Sequence, residues 1–231
     1  MGIYALGDLH LSLGEGIDKP MDIYGDQWAQ HTCRLKEYWE TTITPDDTVI
    51  LAGDISWALK FNDAKTDLDW IHNLPGKKVI IKGNHDLWWT GINKLNHLYE
   101  DMVFLHNFSY IVDDVGICGS RGWTCPGTDG FTEADLKIYN RELLRVRRSL
   151  DDAKSKGINK IIGVLHFPPT NDKLQSSGFT DLFTEAGAQN VVYGHLHGPD
   201  TYHRGLQGYF NGVEYKLVSL DYLNCKPIQL L

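Results

Sequence analysis

Five short apolar runs punctuate the chain, and each ends in a polar cluster. Ile3-Tyr4-Ala5-Leu6 leads into Gly7-Asp8-Leu9-His10, Val49-Ile50-Leu51-Ala52 into Gly53-Asp54, and Val79-Ile80-Ile81 through Lys82 into Gly83-Asn84-His85-Asp86. Ile161-Ile162-Gly163-Val164-Leu165 leads into His166, and Val191-Val192-Tyr193 into Gly194-His195-Leu196-His197. Runs this short and this rich in β-branched residues predict buried strands. Ligands of open α/β sheets bind beyond the carboxyl ends of strands, so all five clusters are expected to gather at one sheet edge.

Between these runs the spacing turns helical. Trp28, Leu35 and Trp39 lie seven and four residues apart, which predicts a helix over 27–43 with one buried stripe. A second helix is expected over 62–74, capped by Asn62 and stopped by Pro75-Gly76, and a third over about 91–100. The longest is expected over 133–156, with Leu136, Leu143, Leu144, Val146 and Leu150 at its apolar positions and Gly157 as its stop. Residues 109–113 and 115–120 read as short strands turning near Asp114 and Gly116; residues 206–210 and 214–220 read as a pair around Asn211-Gly212. Helices that alternate with strands, some of them hairpin-linked, predict a mixed α/β sandwich of two packed sheets with helices outside. The polar, glycine-rich segment 12–26 is long for a connection and adjoins Asp8 and His10, so it is a candidate for function as well as for a plain surface insertion.

A chain of 231 residues suits one domain, taken here as 1–231. The formal net charge of −8 argues against a general nucleic-acid surface, which needs a positive footprint. An acidic protein can still take phosphate where metal ions supply local positive charge. Cys33, Cys118, Cys125 and Cys225 are scattered without a CxxC pair, which reads as incidental thiols in a reducing compartment. Asp8 and His10 interrupt any leader-like apolar stretch, and no run approaches the roughly 18 apolar residues of a membrane span. A soluble, cytoplasmic protein with no membrane partner is expected.

The polar clusters supply metal-ligand chemistry. Asp and His suit divalent ions of hard to borderline character. Asp8 and His10 alternate along the chain, as do His195 and His197, so each pair is expected to point to one side of an extended segment. Asp54 can use both carboxylate oxygens and bridge two ions; Asn84 offers a neutral carbonyl oxygen and His166 an imidazole. Two carboxylates against two divalent ions leave a positive site that fits a phosphate anion, and two such ions can generate a hydroxide and hold the phosphoryl oxygens for in-line attack.

Asp8-x-His10, Gly53-Asp54, Gly83-Asn84-His85-Asp86, His166 and Gly194-His195-x-His197 together resemble, complete and in order, the signature of the calcineurin-like metallophosphoesterases. The resemblance implies a four-layer α/β/β/α sandwich of two mixed sheets flanked by helices. It implies two divalent ions, manganese, iron or zinc first and nickel or magnesium next. One would be held by Asp8, His10, Asp54 and His197, the other by Asp54, Asn84, His166 and His195. His85 would face the substrate, stabilise the transition state and protonate the leaving alkoxide.

Departures from the family pattern sharpen the expectation. Many relatives carry an aspartate three residues after the bridging one, where this chain has Trp57, so Asp86 or a backbone carbonyl is expected to orient His85. Lys82 and Ala58 replace arginines found in the family's protein phosphatases, which favours a small-molecule phosphomonoester or phosphodiester over phosphoprotein. His166-Phe167-Pro168-Pro169 resembles the His-x-Pro-Pro segment of small bacterial-type phosphodiesterases. Arg121, flanked by glycines at 119 and 122, is a candidate phosphate clamp, with a surface ion pair as the alternative. Trp57, Trp88, Trp89 and Trp123 offer either an aromatic wall or core packing. Arg141, Arg145 and Arg148 share one helical face and read as a solvated surface paired with Glu142, Asp151 and Asp152, while His31, His72, His97, His106 and His203 read as ordinary. A nuclease of the same chemistry would need a positive groove, and a non-enzymatic scaffold would be expected to have lost part of the motif set.

Overall fold

A computed structural model describes residues 1–231. Two mixed sheets form the centre of the molecule. In the first, β1 (Ile3–Leu6), β2 (Thr48–Leu51), β3 (Lys77–Ile80) and β4 (Met102–Phe104) run parallel in that order, and β11 (Ile228–Gln229) joins β1 antiparallel. In the second, β6 (Val115–Gly119), β7 (Lys160–Val164), β8 (Asn190–Tyr193) and β10 (Val213–Leu217) run parallel. Its edges are the antiparallel strands β5 (Tyr110–Val112) and β9 (Gly208–Phe210).

Alternation along the strands builds the layers. Ala5, Ile50 and Val79 lie in register and face the second sheet, where Ile117, Ile162, Val164 and Val192 meet them. Leu6, Val49, Leu51 and Ile80 point the other way, onto α1 (His31–Thr42) and α2 (Phe61–His72) through Leu35, Trp39, Leu68 and Ile71. The outer face of the second sheet packs on α4 (Glu133–Ser155) and α5 (Gly178–Glu185). Helix, sheet, sheet and helix give the expected four-layer sandwich.

The five clusters therefore do not line one sheet edge. Those after β1, β2 and β3 belong to one sheet and those after β7 and β8 to the other. The two edges are stitched directly just past β1, where Gly7 bridges to Ser219 and donates its N–H to the Val218 carbonyl at 2.7 Å.

Several local expectations shift, each for a physical reason. Gln30 adopts φ 50°, so the first helix begins at His31, while Trp28 sits in a preceding 3-10 turn and still joins the same core. The second helix starts at Phe61 with Lys60 at its N-cap and no side-chain cap, which places Asn62 inside it. The third shrinks to the single turn α3 (Ile92–Leu95): Asn96 turns its amide away to bond both the N–H and the carbonyl of Phe104 on β4. In α4 the buried face runs Tyr139, Glu142, Val146, Ser149, Leu150 and Ala153, leaving Leu136 and Leu144 exposed. Its start is a reciprocal capping box between Thr132 and Asp135. A single turn, α6 (Pro199–Tyr202), follows the last histidine cluster. All four cysteines are free, and no helix is long and apolar enough to cross a membrane.

Candidate metal centre

The loops leaving the strands do not continue as extended chain. Asp8, His10, Asp54 and His195 have φ values of 58°, 45°, 51° and 72°, in the left-handed region that side chains other than Asn, Asp and His rarely accept. Asp8 and His10 converge, as do His195 and His197, through these bends rather than through strand alternation. Two glycines make room for the carboxylates. A Cβ on Gly83 would collide with the Asp54 carboxylate and backbone, and one on Gly194 with the Asp8 carboxylate.

Asp86 holds the turns in place. Its fully buried carboxylate accepts the N–H groups of Asp54 at 2.9 Å, Gly83 at 2.7 Å, Ile55 at 2.8 Å and Ser56 at 3.3 Å, and the Trp88 indole at 3.0 Å. Burial and the charge of Asp54 push it up to about 6 against the pull of those N–H groups. Every hydrogen bond of the Asp86 carboxylate is spent on this clamp and none reaches the His85 ring, so Asp86 shapes the loops and does not orient the histidine.

The clamp brings the candidate ligands together. His10 Nε2 lies 3.2 Å from His197 Nε2 and 3.8 Å from Asp54 Oδ2. The same Asp54 oxygen is 3.4 Å from His166 Nε2, which in turn is 2.7 Å from Asn84 Oδ1; His195 Nδ1 reaches that amide oxygen at 2.9 Å. Asp8 Oδ1 is 3.5 Å from His197 Nε2 and 3.8 Å from His166 Nδ1. His166 Nδ1 also lies 2.9 Å from the Ala52 carbonyl, a bond it can make only as donor, which leaves Nε2 to face Asp54 and Asn84. Asp8 thus groups with His10 and His197 and also with Asp54 and His166, while Asp54 Oδ2 lies near both His10 and His166. Of the donor residues, Asp8, His10, Asp54 and His166 are buried and the other three partly buried.

The electrostatics fit a cation. Burial holds His10 down at about 4 and, with the neighbouring charge of His166, His195 at about 3; both present neutral imidazoles. Burial works against charge on His166 and His197 too, but Asp54 and Asp8 lift the first to about 9, and Asp8 and Asp221 lift the second to about 10. Their proton positions are ones a divalent ion would take over. The Nδ1 of His10 is buried without a partner. Two buried carboxylates, four convergent imidazoles and an amide oxygen make a donor set suited to divalent transition ions.

Asp221 is a residue that the motifs do not announce. It is buried after β10, and its carboxylate meets His197 Nδ1 at 3.0 Å while accepting the Gly198 N–H and the Tyr202 hydroxyl, each at 2.9 Å. It fixes the tautomer that turns His197 Nε2 toward the other ligands. Its only sequence signal is an acidic residue a few positions beyond the last apolar strand.

His85 is exposed at the edge of this cluster, and its N–H donates to Asp54 Oδ1 at 2.8 Å. Trp57 supports the ring instead of an aspartate: the centroids are 4.5 Å apart, and Trp57 also stacks on His10 at 4.7 Å. Beside His85 opens a pocket of about 400 Å³ walled by Met21, Tyr24, Trp28 and Trp57 together with His10 and His197. The segment 12–26 thus forms a wall of the site, tied down by the Leu13 N–H to Asp67 at 2.8 Å and by the Trp57 indole to the Met21 sulfur at 3.3 Å. Of the other tryptophans, Trp88 is core, Trp89 packs edge-on to Phe104, and Trp123 lies under the Arg121 guanidinium at 4.6 Å.

Arg121 is no surface ion pair. Its side chain is 17% exposed, it approaches Glu142 at 3.6 Å, and its carbonyl accepts the N–H groups of both His166 and Phe167 at 3.0 Å. Glu142, expected on a solvated face, is fully buried beneath Arg121, Arg141 and Arg145, and His106 lies in the same cleft. Arg148 remains on the exposed face.

The sequence profile of the calcineurin-like phosphoesterases matches residues 1–199. The chain belongs to that family. Among curated proteins it is similar to the Gene 66 protein of Mycobacterium phage L5, 36% identical over 81 residues that make up 34% of this chain and 37% of that one. The Gene 66 protein of Mycobacterium phage D29 is 25% identical over 175 residues, 74% of this chain and 68% of that one. The chain thus spans little more than a third of the L5 relative and about two thirds of the D29 relative. Among solved structures, the phosphopantetheinyl hydrolase PptH from Mycobacterium tuberculosis superposes with a TM-score of 0.51 at 18% identity, over 100% of this chain and 95% of that one. At that identity the likeness concerns the fold.

Proposed function

We propose that this phosphoesterase is binuclear and hydrolyses a small-molecule phosphomonoester or phosphodiester. The observation that carries the reading is the position of Asp54 Oδ2, 3.8 Å from His10 and 3.4 Å from His166, between two sets of donors. In this reading Asp8, His10, Asp54 and His197 hold one divalent ion and Asp54, Asn84, His166 and His195 the second. Manganese, iron and zinc suit such a mixed oxygen and imidazole set; nickel and magnesium are the next candidates. Divalent ions bound there would supply positive charge for the phosphoryl oxygens and make a water a better nucleophile.

The chain's own residues do the rest. Asp221 and the Ala52 carbonyl fix the tautomers of His197 and His166. Asp86 holds the Gly53-Asp54 and Gly83-Asn84 turns at their separation. His85, propped on Trp57 at the pocket mouth, is placed to donate a proton to the departing alkoxide oxygen. The pocket walled by Met21, Tyr24 and Trp28 takes an apolar part of the leaving group and excludes water around it. The net charge of −8 disfavours nucleic acid as the substrate. The apolar layer shared by the two sheets supports treating 1–231 as one domain.

The test is a metal and substrate survey. Protein reconstituted with manganese is expected to hold two ions per chain by elemental analysis and to turn over aryl phosphate monoesters or diesters, with no preference for single-stranded DNA. Full metal loading without turnover on any ester would overturn the assignment.

A further inference from the structure

A second cleft, of about 360 Å³, lies beside the metal centre and is chemically unlike the aromatic pocket. Lys82, Arg121, Arg141 and Arg145 line it together with His106, and the only carboxylate among its walls is Glu142. Four permanent positive groups against one carboxylate leave three in excess, in a chain whose overall charge is −8. Such a local reversal of sign marks a place where an anion is wanted.

The partners already present do not use up this charge. All three arginines converge on one oxygen of Glu142, at 3.6 Å from Arg121, 3.5 Å from Arg141 and 2.6 Å from Arg145. The second Glu142 oxygen and the Arg121 Nε are both buried without a hydrogen-bond partner. A buried guanidinium N–H left unpaired is costly, and an acceptor brought to it removes that cost. Arg121 is also held rigidly, stacked on Trp123 with its backbone bonded to His166 and Phe167. A planar fork fixed in this way suits phosphate better than a mobile lysine.

The cleft adjoins the metal centre through its backbone. Lys82 immediately precedes Gly83-Asn84, and the Arg121 carbonyl receives the His166 N–H. Its walls are thus joined through the chain to the Asn84 and His166 half of the donor set, whereas the aromatic pocket is lined by His10 and His197 themselves.

Building on the phosphoesterase reading above, we propose that this cleft binds a second phosphate group of the substrate, so that the physiological ester carries a further phosphate beyond the one hydrolysed. The neutral walls, Trp89, Thr90 and Ile92, leave room for the linking atoms.

Two measurements test it. The first is calorimetric titration of inorganic pyrophosphate into protein stripped with a chelator, where no metal contributes. Wild type is expected to bind one equivalent. Arg141→Gln, whose side chain is half exposed, should weaken binding severalfold, and the pair Arg141→Gln with Arg145→Gln more than tenfold. Absence of binding to wild type, or equal binding by both variants, would overturn the proposal; if the double variant fails to fold, the single variant decides.

The second measurement uses manganese-loaded protein hydrolysing an aryl phosphate, with adenosine 5′-monophosphate and adenosine 3′,5′-bisphosphate as competitors. The bisphosphate is expected to inhibit at least tenfold more strongly, and Arg141→Gln to shrink that advantage. Equal inhibition would separate the cleft from the substrate. Loss of aryl phosphate turnover in fully loaded wild type, with pyrophosphate binding intact, would instead refute the catalytic reading and leave the anion site standing.

Discussion

Changing Asp221 to asparagine preserves shape and removes one proton-accepting choice. One carboxylate oxygen meets His197 Nδ1 at 3.0 Å, and the other accepts the Gly198 N–H and the Tyr202 hydroxyl at 2.9 Å each. An asparagine has one oxygen for these two sides. If that oxygen stays with Gly198 and Tyr202, the amide NH₂ faces Nδ1 and forces the ring proton onto Nε2, the atom expected to ligate. If the amide turns over, the Gly198 N–H is left without an acceptor, at a cost of about 1–3 kcal/mol, and the Tyr202 hydroxyl must rotate. Either way the working state is penalised by roughly 1.4–2.7 kcal/mol, a 10–100-fold loss of metal affinity. The loss should fall on one ion, because His195 and His166 do not touch Asp221. Competitive titration against a chelating dye is expected to show one site weakened by that factor and the other within threefold. Turnover should return at saturating metal. Equal weakening of both sites, or a rate defect that excess metal does not repair, would refute the assignment of His197 to its own ion.

Three further outcomes follow from the geometry. His85→Ala should keep both metals by elemental analysis while kcat falls roughly 10²–10⁴-fold; loss of metal would move His85 into the ligand set. Asp54→Ala should weaken both ions together and release the His85 N–H bonded to Asp54 Oδ1, so two tightly retained ions would contradict the bridge. Asp152 opposes burial with bonds from Lys156 and from the N–H and hydroxyl of Ser109, which hold it at about 2. Its stabilisation is complete above the ordinary carboxylate value of about 3.9 and fades as pH falls toward about 2. Urea unfolding should therefore show Asp152→Asn less stable than wild type at pH 7, with the gap narrowing at pH 3; a constant gap would show that the carboxylate charge is not the cause.

Much of the donor set was readable because its signals are local. A β-branched run sets a strand, and the residues just past it must lie at the strand's carboxyl end, so Asp8, His10, Asp54, Asn84, His166, His195 and His197 are found from short windows. What short windows miss is which sheet a strand joins. The division between two sheets depends on long-range pairing such as Gly7 with Ser219. Asp221 acts across 24 residues on His197, with no periodicity to mark it. The buried face of α4 was misread because Glu142 is charged and Leu144 apolar, and the burial of the glutamate is decided by arginines from two elements. Asp86 sits within a motif, yet its role could not be read from spacing, since only the folded turns reveal the N–H groups that saturate it. β4, β11 and α5 carry no polar cluster or turn signal of the kind that marks the other elements.

The division of the ligands between two sheets also orders their appearance during synthesis. Asp8, His10, Asp54 and Asn84 all emerge early, just past strands of the first sheet. The three imidazoles of the second sheet follow only after the long α4 has been made, a delay of roughly 4–16 s at ordinary translation rates. Through that interval the nascent chain would carry only the oxygen-rich half of the proposed ligand set, a half suited to hard ions such as magnesium and manganese. The softer donors arrive last and close it. If the proposed ligands hold metal, the ion retained would depend on what is present when His166, His195 and His197 fold into place. Protein refolded from denaturant in one chosen metal therefore need not carry the ion that it acquires in the cell.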